Sequence, residues 1–248
     1  MPRGSRATNG DAGRGRVAED YLKAMWSDEE SGGDGISVND LAARMGVVAS
    51  TASENVARLT AQGLVTHEPY KRVHFTPEGR AVAVGMVRRH RLLETYLHDR
   101  LGFDWDEVHE EAEILEHAVS DRLLAHIDDA LGRPARDPHG DPIPDADGAV
   151  RARPMRPLLD FPAGEWGRVA RLSDSDPQTL RDLAAAGIAL DALVRLVAGP
   201  IDGAGAPCNE VALELAEPGT PVSEVDASAQ RIVLASSTAA AVKASPIA

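Results

Sequence analysis

Apolar positions recur at helical intervals in the first half of this chain and collapse into short runs in the second. Val17, Tyr21, Leu22 and Met25 share one helical face, so a helix is expected from about Arg16 to Glu30, ahead of the glycine-rich loop 31–35. Ser37 can cap a helix over 38–45, with Asp40 in its first turn and Gly46 at its end. A second helix over 49–62 turns Val56 and Leu59 inward and stops at Gly63. Residues 64–67 and 73–76 read as two strands around a tip carrying Lys71 and Arg72. Helix, turn, helix and two-stranded ribbon is the order of a winged helix-turn-helix.

Pro77 suits the first position of a long helix over 77–100, which Gly102 breaks. Further helices are expected over 104–120 and 121–131. Prolines and glycines crowd residues 133–155, a linker or tethered loop. Beyond it, apolar runs at 168–172, 193–197, 211–215 and 232–235 alternate with turns, and one helix over 177–186 interrupts them. The expected fold is therefore a mainly α first part followed by a small β-barrel-like domain. The expected borders are a disordered tail at 1–15, the winged helix at 16–78, a helical domain at 79–146, a linker at 147–158 and the barrel at 159–248.

Composition narrows the function. Aromatics make up only 4% of the chain, so the cores must be aliphatic. No apolar run approaches the roughly 20 residues that span a bilayer, and the N-terminus has no signal-peptide h-region. The single Cys208 permits no internal disulfide, which fits a reducing, cytoplasmic setting without a membrane partner. A net charge of −13 argues against a protein that coats nucleic acid, but not against a local basic patch. In a helix-turn-helix, the start of the second helix enters the major groove. Here it offers Ser50, Thr51, Ser53, Glu54 and Asn55, with Arg58, Lys71 and Arg72 as phosphate contacts on double-stranded DNA. The alternative is a winged helix used for protein contacts; the basic tip in an acidic chain favours DNA.

Histidine and glutamate then recur at helical spacing. His90 and Glu94 are four apart, as are His109 and Glu113, and Glu116 and His117 follow. Residues three or four apart on a helix share a face. Such stripes build divalent-metal sites, although a solvated helix face also carries them.

The order of these residues makes the pattern specific. Residues 86–94 (MVRRHRLLE), 108–121 (VHEEAEILEHAVSD) and 140–144 (GDPIP) resemble the diphtheria-toxin-repressor family of metal-dependent bacterial regulators. The resemblance implies that the C-terminal barrel is SH3-like. It implies a primary metal site of Asp20, Glu113, Glu116 and His117, with the Glu113 carbonyl as a further donor. It implies an ancillary site of His90, Glu94 and His109, completed from residues 174–178, with Asp176 and Gln178 as the expected donors. Iron-type members carry Met at the position of Asp20 and Cys at that of Glu113. Carboxylates at both positions resemble the manganese branch, since hard oxygen donors favour Mn²⁺, with Fe²⁺ the alternative and Co²⁺ or Zn²⁺ as surrogates. Short manganese regulators have a carboxylate where this chain has Lys23, so two separated metals are expected instead of a binuclear cluster.

The resemblance further implies a homodimer formed through the long helix and the helix over 104–120. Two such dimers can share one operator, and metal-loaded protein represses metal-uptake genes. Two rival readings compete. A metalloenzyme with Glu116 as general base lacks an H-E-x-x-H order and leaves the winged helix unused. A metal-independent winged-helix regulator would show no metal response.

Overall fold

Tyr21, Leu22 and Met25 are buried along one stripe of helix α1 (Asn9–Glu30), the face that their spacing predicts. This computed structural model describes residues 9–151, 153–198 and 209–247, leaving Cys208 and residues 1–8 of the expected tail outside the described residues. Helix α1 begins at Asn9, ahead of the expected start at Arg16. The chain divides into two compact units, the first comprising residues 1–90, 116–120 and 144–149, the second 91–115, 121–143 and 150–248. This division falls within the long helix, after His90.

In the first unit, α2 (Val38–Arg44) starts at Ser37, whose hydroxyl accepts the Asp40 N–H at 3.0 Å. Helix α3 (Ala49–Ala61) buries Ala52, Val56 and Leu59. The wing pairs β1 (Val65–Thr66) with β2 (His74–Phe75) in antiparallel register, and a further bridge joins Ile36 to Val73. Thr76 caps α4 (Pro77–Leu101) by accepting the Gly79 N–H at 3.0 Å. The first part of α4 buries Ala83, Met86 and Val87, which is why residues 79–90 belong with the winged helix.

The second unit continues α4 from Arg91 and adds α5 (Val108–Leu115) and α6 (Asp121–Leu131). Helix α5 is shorter than the expected 104–120. Gly102, at φ 76°, closes α4, and residues 105–107 form a turn before α5. The Pro/Gly-rich stretch that follows α6 is not a loose linker. Arg136 bridges Pro142, and Asp137 Oδ1 accepts the N–H groups of His139 and Asp141, both at 2.9 Å.

The C-terminal part is a six-stranded antiparallel sheet of β3 (Arg156–Pro157), β4 (Trp166–Leu172), β5 (Leu193–Ala198), β6 (Glu210–Ala216), β7 (Gln230–Ala235) and β8 (Val242–Pro246). The spatial order is β3-β8-β4-β5-β6-β7, so β3 and β7 are edges and the expected barrel is not closed among the described residues. Helix α7 (Pro177–Ala185) and the short α8 (Val225–Ser228) and α9 (Ser236–Ala240) complete it. Period-two alternation drives Val169, Val194, Val211 and Leu213 into one aliphatic core with Leu180 and Leu183 of α7. No helix among the described residues is long and apolar enough to cross a membrane.

Candidate metal centre

Three of the expected primary ligands meet within the first unit. Asp20 lies on α1, while Glu116 and His117 occupy the turn after α5, and one ligand atom from each falls within 4.8 Å of the others. His117 Nε2 stands 2.9 Å from Asp20 Oδ1. Its Nδ1 lies 2.7 Å from Glu19 Oε2. A carboxylate at one ring nitrogen fixes the ring and leaves the other nitrogen aimed at a ligand position. Sequence reasoning misses Glu19, whose only signal is its place beside Asp20.

Glu116 is buried, with its side chain 1% exposed. Lys23 Nζ donates to both of its oxygens, at 3.0 and 2.9 Å, and His90 Nδ1 lies 2.5 Å from Oε2. Lys23 Nζ is also 2.9 Å from His90 Nδ1. Burial opposes ionisation of Glu116, but the His90 hydrogen bond and the Lys23 charge prevail and hold its carboxyl below the ordinary value. Within its unit, His90 faces Glu116, where a buried carboxylate needs every available donor. Glu113 belongs to the second unit, is exposed on α5, and lies 3.8 Å from His109 Nε2.

The second unit holds another constellation. His109 Nδ1 stands 3.2 Å from Glu94 Oε1 and 3.2 Å from Asp174 Oδ2. The Asp174 and Glu94 hydrogen bonds push the imidazole pKa up to about 10. Asp174, despite its burial, is held at about 2 by His109. Of the residues around 174–178, it is Asp174 that lies against His109. Asp176 instead caps α7, accepting the N–H groups of Gln178 and Thr179, while the Gln178 amide donates to Asp182 at 2.8 Å. Polar residues in a loop give no periodic signal, so sequence spacing did not separate these neighbours.

Glu94, Asp137 and His139, all buried, form a second group whose ligand atoms lie within 4.8 Å. His139 Nε2 is 2.7 Å from the Trp105 carbonyl. If Nε2 carries the proton, Nδ1 keeps a lone pair, and this buried atom has no hydrogen-bond partner. Burial and the neighbouring Asp141 and Glu94 raise the Asp137 carboxyl well above its ordinary value. Carboxylates crowded into a buried site with an unpaired imidazole nitrogen are what a divalent cation would relieve. Both groups offer oxygen and imidazole donors without sulfur, a set that fits first-row divalent ions.

On the DNA-reading helix, Ser50, Thr51, Ser53, Glu54 and Arg58 are exposed. Asn55 is half-buried, and its amide donates to Tyr21 Oη at 3.3 Å and to the Thr51 carbonyl at 3.1 Å. Its donors thus tie α3 to α1. At the wing, Lys71 pairs with Glu68 at 2.5 Å, and Arg72 donates to the Gly35 carbonyl at 2.7 Å. Tyr70, at φ 65°, is fully exposed beside them, an aromatic tip that the charge pattern did not flag.

Known proteins match on both levels. A family profile described as the iron dependent repressor N-terminal DNA binding domain covers residues 15–73. One described as the iron dependent repressor metal binding and dimerisation domain covers residues 76–145. The diphtheria toxin repressor of Corynebacterium efficiens is 32% identical over 197 residues, covering 73% of this chain and 83% of that protein. A solved manganese-dependent transcriptional repressor in complex with manganese is 47% identical with a TM-score of 0.81, covering 93% of this chain and 100% of its own. A second manganese-dependent transcriptional repressor is 41% identical with a TM-score of 0.70, covering 92% and 100%. With a DNA-binding domain followed by a metal-binding and dimerisation domain, the chain belongs to the diphtheria-toxin-repressor family of metal-responsive transcriptional repressors, which are DNA-binding regulators and not enzymes.

Proposed function

We propose that this chain is a manganese-responsive repressor of metal-uptake genes, acting in the cytoplasm as a homodimer, two dimers to an operator. The observation that carries the reading is the sulfur-free donor set of Asp20, Glu116 and His117, gathered within 4.8 Å. Oxygen and imidazole donors favour Mn²⁺ relative to sites that include soft sulfur. Glu113, a carboxylate, is assigned as a further primary ligand on the family resemblance. The manganese-dependent repressors that resemble this chain support the same choice. Exposed apolar side chains on the dimerisation domain, including Leu101 and Ile114, 56% and 60% exposed, favour a face that a second copy covers.

The ancillary site is assigned to Glu94, Asp137 and His139, with His109 and Asp174 beside Glu94. The C-terminal sheet is read as the family's SH3-like domain, supplying Asp174.

A divalent cation at the primary site would supply one positive centre shared by Asp20, Glu116 and His117. Asp20 holds α1 to the turn that carries His117, and Glu19 fixes the imidazole. Next to Asp20, Tyr21 accepts the Asn55 amide of α3, so a shift of α1 reaches the recognition helix through one hydrogen bond. Base and phosphate contacts fall to Ser50, Thr51, Ser53, Glu54, Asn55, Arg58, Lys71 and Arg72, with recognition helices about 34–36 Å apart in the dimer.

The test compares operator binding with and without Mn²⁺ for the wild type and Asp20→Ala. The wild type should gain at least about tenfold, worth ~1.4 kcal/mol, and the variant should gain nothing. Retained activation of the variant would overturn the site. Fe²⁺ assayed beside Mn²⁺ without oxygen decides the metal; activation at lower free Fe²⁺ than Mn²⁺ assigns the protein to iron.

A further inference from the structure

The second unit contains a cavity of about 560 Å³ that neither metal constellation uses. Ligand pockets span roughly 300–1,000 Å³, so a small molecule fits. Four arginines line it, Arg136, Arg151, Arg153 and Arg168, against a single carboxylate, Asp191. This is a concentration of positive charge in a chain of net charge −13.

Two of the four are already engaged. Arg136 forks onto both oxygens of Asp191, and Arg168 donates to the Asp191 carbonyl at 3.0 Å. Asp191 is fixed in the left-handed region at φ 66°, so its carboxylate is a built part of the wall. Among the described residues, neither Arg151 nor Arg153 forms a hydrogen bond or close ion pair, and the charge of Arg153 helps to hold the Asp191 carboxyl down. They alternate with Met155 along the lining, so three residues of one segment contribute every second side chain to the same cavity. Gly140 lets the opposite loop close on the sheet: a Cβ there would meet the Ala170 carbonyl at 2.1 Å. That side of the wall is therefore formed by close backbone packing.

We propose that this cavity binds a compact polyphosphate group, with Arg151 and Arg153 as its primary anchors. Guanidinium forks match phosphate oxygens in pairs, and the two unengaged arginines offer that geometry while Arg136 and Arg168 hold the floor. A concave pocket suits a small anion better than a duplex backbone, which needs an extended surface. The shared chemistry is the pyrophosphate unit, whether inorganic or carried by a nucleotide.

The test is calorimetric titration of inorganic pyrophosphate and of ADP into the full-length, metal-free protein, without divalent cations that would chelate either ligand. Saturable binding of at least one is expected. The Arg151→Ala/Arg153→Ala double variant should bind at least ten times more weakly, while Arg181→Ala, whose guanidinium pairs with Asp106 away from the cavity, should bind as the wild type does. ADP binding more tightly than pyrophosphate would identify a nucleotide as the source; equal affinities would identify the phosphate unit alone. No saturable binding of either, or undiminished binding by the double variant, overturns the proposal. So does a double variant that loses operator affinity when the wild type binds neither small anion, since these arginines would then be DNA phosphate contacts. Unchanged circular dichroism and melting of the double variant exclude misfolding as the cause of lost binding.

Discussion

Lys23 holds Glu116 with a charge of the sign that a metal supplies. Its ammonium reaches both carboxylate oxygens and the His90 ring, at 2.9 to 3.0 Å. A metal binding through Glu116 must compete with this tethered cation. Hydrogen bonds to charged groups contribute about 1.5–3 kcal/mol each, so the competition is worth an order of magnitude or more in affinity. Lys23→Gln should therefore tighten Mn²⁺ binding by roughly tenfold. It should also lower the melting temperature of the metal-free protein, because Glu116 is left buried without its countercharge. Melting curves with and without Mn²⁺, together with direct metal titration, measure both effects. Unchanged or weaker Mn²⁺ binding in the variant would show that Lys23 orients Glu116 for the metal instead of opposing it.

Element packing sets a second, purely structural contrast along α4. Gly79 lies where the helix crosses the turn before the wing, and a Cβ on it would stand 1.8 Å from the Leu64 carbonyl oxygen. Backbone cannot yield as a side-chain tip can, so Gly79→Ala should cost ~1–3 kcal/mol by overpacking. Two turns on, Gly85 has open space around its missing Cβ. Gly85→Ala should stabilise the helix by about 0.5–1 kcal/mol, since alanine orders at lower entropic cost. Thermal melts of the two variants should move in opposite directions; a shared direction would contradict the packing. The sequence made these helices legible because their signals are local: the Ser37 cap, the Gly46 and Gly63 stops, and Pro77 after Thr76. The proposed primary ligands Asp20, Glu116 and His117 are legible for another reason, an ordered motif whose resemblance points to them. Tertiary partners were not. His139 is a lone histidine in a loop, and only the fold brings it to Glu94 and Asp137. Asp174 differs from Asp176 by two loop residues, a shift no periodicity resolves. The edge strand β3, two residues long, and the strand β8, with Ala, Ser and Pro in five residues, are too short to alternate visibly. The shortened α5 ends where Glu116 and His117 turn toward partners far off in sequence.

At the scale of the whole molecule, the proposed metal ligands and the proposed DNA contacts are different residues of the chain. The chain carries a net charge of −13, so each bound divalent cation reduces self-repulsion as well as repulsion of the operator. If Mn²⁺ raises operator affinity by some factor, operator DNA must raise Mn²⁺ affinity by the same factor. For a tenfold effect the coupling is ~1.4 kcal/mol. The prediction is that Mn²⁺ titrations of the wild type, followed by the electron paramagnetic resonance of free Mn²⁺, shift to lower concentration when operator DNA is present. The shift should equal the gain in operator affinity measured separately in the same salt. The salt must be held fixed because phosphate contacts make DNA affinity fall steeply with ionic strength. Replacing Asp137 by Asn tests which site carries the coupling. It replaces a carboxyl of the Glu94, Asp137 and His139 group by a neutral amide and leaves Asp20, Glu116 and His117 intact. If the primary site couples to DNA through α1, Asn55 and the recognition helix, Asp137→Asn keeps the reciprocal shift and loses only the weaker class of bound Mn²⁺. A variant that keeps full Mn²⁺ occupancy but shows no reciprocal shift would instead assign the coupling to the second site.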